Sequence, residues 1–143
     1  MNEITFTINA APLGKVRHRS MVLPNGMLHH YNTKENTNYE KLVKLEYQRQ
    51  CSHIYFTGEI EVIIDAYYPI PKSWSKKKQK EALEGIFRPI VKPDLDNVSK
   101  IILDSLNKVA FDDDKVICDL HIHKWYSNEP KVVVTIIGDY VVV

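Results

Sequence analysis

Asp94-Leu95-Asp96-Asn97-Val98-Ser99-Lys100-Ile101-Ile102-Leu103-Asp104-Ser105-Leu106 is the stretch from which the fold is read. Leu95, Val98, Ile101, Ile102, Ser105, Leu106 and Val109 recur at helical spacing. They predict an amphipathic helix over Asp96 to Lys108 whose apolar stripe faces a core. Asp94 or Asp96 is the expected N-cap. Downstream, Asp112-Asp113-Asp114 opens a predicted strand over Val116 to Trp125. Cys118, Leu120 and Ile122 fall on one of its faces, and Asp119, His121 and His123 on the other. Asn128-Glu129-Pro130 makes a turn into a last strand, Lys131 to Ile137.

Upstream, residues 86 to 93 carry Pro89 and Pro93 and are expected to be irregular. Ser73 to Leu83 predicts a short, very basic helix stopped at Gly85. Gly58 precedes a predicted strand, Ile60 to Tyr68, which Pro69 and Pro71 end. A further helix, capped near Asn32 or Thr33, has the stripe Tyr39, Leu42, Val43, Tyr47 and Cys51. Pro24-Asn25-Gly26 marks a hairpin within Ser20 to Tyr31. Ile4 to Ile8 alternates as a strand before Pro12 and Gly14 break it. Strands and helices are mixed and several strands look hairpin-connected. The expected class is therefore α+β: one compact domain over residues 1–143, with helices packed on a mixed or antiparallel sheet.

The composition fits this reading. The chain has 143 residues, 44% hydrophobic and 26% charged, enough for one real core. No apolar run is long enough to span a bilayer, so no membrane partner is expected. The first residues, Met1-Asn2-Glu3-Ile4, lack a basic region followed by an apolar stretch, so no secretory signal is expected. Cys51 and Cys118 have no metal-type spacing. Reduced thiols and a cytoplasmic location follow as expectations.

A net charge of +1 says little about partners, but its distribution says more. Basic residues gather in Lys15-Val16-Arg17-His18-Arg19 and from Lys72 to Lys80, while acidic residues gather from 94 to 119. Asp94 and Asp96, on the first turn of a core-facing helix, with the Asp112 to Asp114 run nearby, form a set of hard oxygen donors suited to Mg²⁺ and substrate phosphates. Lys100 stands one helical turn after Asp96, where an ammonium can stabilise charge developing on a phosphate. A basic rim at Lys15, Arg17, Arg19 and Lys76 would hold a DNA or RNA backbone over that centre. These features point to a metal-dependent phosphodiesterase.

Each residue also has a plainer role. Asp94 or Asp96 can be a simple cap, Asp112 to Asp114 a polar turn, and Lys100 with Asp104 an exposed helix pair. His121 and His123 fit a solvated strand face, and Trp74 and Trp125 fit packing. A haloacid-dehalogenase-type Asp-x-Asp is excluded because no apolar strand precedes it and too little chain follows. A calcium EF-hand is excluded because its loop Gly and closing Glu are missing.

With these residues in this order, the chain resembles the RusA family of Holliday junction resolvases, common in bacteria and their prophages. The resemblance is carried by Lys92-Pro93-Asp94-Leu95-Asp96-Asn97, then Lys100, Asp104 and Leu106, then Asp113-Asp114. Pro12 to Arg19 and Leu120 to Ser127 add to it. It implies a homodimeric endonuclease that nicks four-way DNA junctions symmetrically with Mg²⁺, Mn²⁺ being a substitute ion. It makes Asp94, Asp96 and the second Asp of the pair metal ligands, and Lys100 the catalytic lysine. Three consecutive aspartates, and the lack of the Gln that usually follows, leave the third ligand open. Alignment on Val116 selects Asp113, and the longer match through Leu120 and Lys124 selects Asp114, which is preferred. Two other functions fit the same residues: a non-catalytic junction- or DNA-binding accessory protein, and a nuclease for other branched or single-stranded DNA.

Overall fold

A computed structural model describes residues 2–16, 19–31 and 33–143, with backbone alone at 19–20 and 28–31. Its centre is a long strand. In β4 (Ile54–Pro69), Phe56, Ile60, Val62, Ile64, Ala66 and Tyr68 are all buried, so the period-two pattern of the sequence lies against one core. β6 (Lys131–Val142) pairs antiparallel with β4 and contributes Val132, Val134 and Ile136 to the same face. β1 (Asn2–Ile8) pairs antiparallel with β6, setting Phe6 opposite Val134 and Ile8 opposite Val132. β5 (Ile117–Ser127) runs parallel to β4 on its other side. The sheet order is therefore β1-β6-β4-β5, mixed in direction. β2 (Arg19–Val22) and β3 (Leu28–Tyr31) form a separate hairpin through the Pro24-Asn25-Gly26 turn.

Among the described residues there are three α-helices: α1 (Lys34–Cys51), α2 (Lys76–Leu83) and α3 (Leu95–Leu106). α1 starts at Thr33, whose hydroxyl accepts the Asn36 amide, and buries Tyr39, Val43, Tyr47 and Cys51. α3 buries Val98, Ile101, Ile102, Leu103, Ser105 and Leu106 in the same core as the sheet. Each fully buried aliphatic side chain here contributes about 1.5–3 kcal/mol. That packing makes α3 a fixed platform. The fold is a single compact α+β structure, as the pattern predicts.

Several boundaries differ from the sequence-based expectation. Gly58 does not precede the strand; it lies within β4 at a bulge. There, the step from Thr57 to Glu61 faces only the step from Asp139 to Ile137, and Gly58 takes φ 80°. Pairing with β4 also carries β6 past Ile137 to Val142. α3 stops at Leu106, because Lys108 turns the chain with φ 66° and its amide goes to Phe111 rather than up the helix. The Asp112–Asp114 run does not open the strand directly: Asp114–Val116 is a short 3₁₀ turn and β5 follows at Ile117.

Candidate active site

The crossover from β4 to its parallel neighbour β5 contains α2, an irregular segment, α3 and the 3₁₀ turn. A parallel pair needs such a long connection, and it carries every acidic candidate of the sequence. The entry to α3 is fixed from several sides. Tyr68, buried at the end of β4, donates its hydroxyl to the Pro93 carbonyl. The Lys15 amide donates to the Asn97 carbonyl at 2.8 Å. Gly14 lies so close that an added Cβ would be 2.9 Å from Pro93 Cβ and 3.1 Å from Asn97 Cβ. The loop itself is held by Asn36. This amide, buried on α1, accepts the Val16 N–H at 2.8 Å and donates to the Gly14 carbonyl at 3.3 Å.

Between this loop and the helix start is a cleft of about 470 Å³, with Gly14, Lys15 and Val16 on one side and Lys92, Asp94 and Asp96 on the other. A second cavity, about 490 Å³, lies between Ala11–Leu13 and α1. It holds no carboxylate pair, so the chemistry assigns the site to the first.

Asp94 occupies the N-cap position with extended backbone, yet its side chain makes no capping hydrogen bond. Asp96 is exposed in the first turn. Among the described residues, neither carboxylate is engaged in a hydrogen bond or ion pair. Both lie where the partial positive charge of the helix start favours anions. The Tyr68 hydroxyl is pushed up to about 12 by burial and by the neighbouring charge of Asp94.

Lys100 does not reach back to Asp96. Its ammonium lies 3.2 Å from Asp104, and the other oxygen of Asp104 lies 3.6 Å from the Lys15 ammonium, which also pairs with Glu40. The sequence-predicted phosphate contact at Lys15 thus lines the cleft, with its ammonium held between two carboxylates. Lys76 is exposed at the start of α2. Arg17 and the Arg19 side chain lie outside the described residues.

The three consecutive aspartates separate clearly. Asp112 pairs with Lys108, which holds its carboxyl below the usual range. The Asp114 carboxyl is pushed up by burial and by contact with Asp113, while Lys100 opposes and Asp104 adds to the shift. Asp114 therefore lies within electrostatic reach of the middle of α3, one and two turns beyond Asp96. Asp94 and Asp96 line the cleft, Asp114 does not, and all three offer the hard oxygen donors a divalent cation prefers. Among the described residues, however, no three His, Cys, Asp or Glu side chains are grouped closely enough to hold a metal ion. His121 meets Glu61 at 2.9 Å, and His123 lies 3.4 Å from Asp65, both on the sheet.

Reading the sequence missed Asn36, Glu40 and Tyr68 as supports of this site. Asn36 left a signal: it is a polar residue at the helical spacing of the Tyr39, Val43 and Tyr47 stripe. Glu40 and Tyr68 left none, because their partners are distant in sequence.

The family model described as Endodeoxyribonuclease RusA matches residues 9–137. The chain is 35% identical over 138 residues to "Uncharacterized protein YqaN" of Bacillus subtilis (strain 168), covering 95% of this chain and 96% of that protein. The matched span contains the cleft, α3 and the aspartate run, and the chain belongs to the RusA endodeoxyribonuclease family.

Proposed function

We propose that the protein is a Mg²⁺-dependent endonuclease that resolves four-way DNA junctions by paired, symmetric nicks, acting as a homodimer. The observation that carries this reading is the pair Asp94 and Asp96. Both sit on a helix start fixed by buried packing, with carboxylates unused by capping or ion pairing among the described residues. Their chemistry fits a divalent cation, and Asp94, Asp96 and Asp114 would hold it. Such an ion supplies a Lewis acid for a phosphoryl oxygen and lowers the pKa of a bound water. Lys100 offers a positive charge to a phosphate above the α3 start, and Asp104 steers that ammonium. Arg17, Arg19 and Lys76, with Lys15 lining the cleft, are the proposed backbone contacts. Two sites related by a twofold axis would match the symmetry of the junction.

The test is cleavage of a synthetic four-way junction, a flap and a duplex in Mg²⁺ and in Mn²⁺, with wild type and Asp94→Asn. Wild type is expected to nick opposite strands of the junction at equivalent positions, and Asp94→Asn to bind the junction without cutting it. Full cleavage by purified Asp94→Asn would remove the carboxylate from the mechanism. Tight junction binding with no product in either metal would make the protein a non-catalytic binder. Cleavage confined to the flap would change the substrate.

A further inference from the structure

Three large aliphatic side chains stand in water on one short segment just ahead of the carboxylate cleft. Ile90 is 95% exposed, Ile86 62% and Val91 54%. A single exposed aliphatic is ordinary, but three within six residues call for a partner.

The segment between them is firmly anchored. Phe87 packs against Trp74 and Tyr126 with ring centroids 5.5 and 5.9 Å apart. The Arg88 guanidinium lies 3.8 Å from the centre of the Trp125 ring, and its Nε donates to the Lys124 carbonyl at 2.7 Å. Pro89 is buried. The Lys124 ammonium donates to the Val91 carbonyl at 2.6 Å. Anchoring residues thus alternate with exposed apolar ones, and the fold presents the apolar tip rigidly.

The charge around the tip favours a polyanion over a protein surface. No carboxylate occurs between Glu84 and Asp94, while Arg88, Lys92 and Lys124 surround the segment and α2 adds Lys76, Lys77, Lys78 and Lys80. Position points the same way. Ile90 precedes Asp94 by four residues, so at most about 14 Å of chain separates them. On a DNA strand that reach is on the order of four nucleotides.

We propose that this tip, with Ile90 at its apex, is a wedge that contacts unstacked bases at the centre of branched DNA. The inference rests on the junction-endonuclease reading above and names the feature of the substrate recognised. Proteins that kink or open DNA insert aliphatic side chains between base steps, and the cost of unstacking is lowest where stacking is already broken. A wedge here favours a branch point over continuous duplex and places the branch near the carboxylates.

The test uses a four-way junction with 2-aminopurine at the branch point and a duplex of matching sequence, both in EDTA, with wild type and Ile90→Ser. A side chain so exposed can be replaced without loss of folding, which a melting curve checks. Wild type is expected to prefer the junction and to raise the 2-aminopurine fluorescence. Ile90→Ser is expected to lose most of that rise and to bind the junction roughly tenfold more weakly, with duplex affinity unchanged. Equal fluorescence from both proteins, or equal weakening on junction and duplex, overturns the wedge. So does loss of self-association by Ile90→Ser in sedimentation, which would make the tip a contact with a second copy. If wild type shows no preference for the junction, the substrate reading falls together with the wedge. If the preference stands and survives Ile90→Ser, only the wedge falls.

Discussion

At the residue scale, Asp112 and Asp114 have different surroundings, and each makes its own prediction. Asp112 is spent on Lys108, so Asp112→Asn is expected to leave junction cleavage within about twofold of wild type in a single-turnover assay. Asp114 sits beside Asp113 and near Asp104, and the fold holds its carboxyl above the usual value. A carboxyl raised in the folded state favours folding below its ordinary pKa, near 3.9, and that contribution is lost as pH rises through the shifted value. At pH 7 the ionised Asp114 therefore opposes folding. Asp114→Asn is expected to raise the melting temperature at pH 7 in chelator, with a gap that closes below the ordinary carboxylate pKa, and to abolish cleavage. An Asp114→Asn protein that melts lower at pH 7 would overturn the raised carboxyl, and one that still cuts would shift the third carboxylate to Asp113. The kind of side chain needed was legible in the sequence. That Asp112 is spent on Lys108 was not, because it depends on the turn the chain makes at Lys108 after α3.

At the element scale, the loop before β2 is pressed onto the first turn of α3. Gly14→Ala puts a Cβ against Pro93 and Asn97, a clash that costs about 1–3 kcal/mol if the loop cannot retreat. The expected outcome is lower melting and slower cleavage, with junction binding less affected, measured by thermal denaturation and a binding titration. Asp104 joins Lys100 on α3 to Lys15 on the loop. If it acts by aiming Lys100, Asp104→Asn slows cleavage roughly ten- to hundredfold with junction affinity retained. A second Asp104→Asn change then adds little to Lys100→Ala in a double-mutant cycle. Additive losses would show that Asp104 works independently of Lys100. The α3 stripe was readable from helical periodicity. The grip on its N-terminus was not, since Asn36, Gly14 and Tyr68 come from three other parts of the chain.

At the scale of the whole molecule, the β4–β5 crossover gathers an acidic cleft, an apolar tip and a basic helix along one connection. α2 begins with Lys76, Lys77 and Lys78, where the helix dipole disfavours cations. Replacing Lys76 with Ala is expected to weaken binding to junctions of any sequence alike and to lower the slope of log affinity against log salt by about 1. An unchanged slope would assign Lys76 to solvent. No helix among the described residues is long and apolar enough to cross a membrane.

Local pattern was enough to determine the strands, the three helices, the α+β class and the acidic chemistry of the 94–114 region. Period and turn chemistry are properties of neighbouring residues, so they survive in one dimension. Tertiary structure decided the parallel pairing of β5 with β4, the bulge at Gly58 and the pairing that lengthens β6. It also decided the engagement of Lys15 by Glu40 and Asp104, and the separation of Asp112 from Asp114. Each depends on groups far apart in the chain that meet only when the sheet and helices share one core. The missing cap bond of Asp94 belongs there too: a cap residue can be read from sequence, but whether its carboxylate is spent on the cap depends on the geometry of the finished helix start.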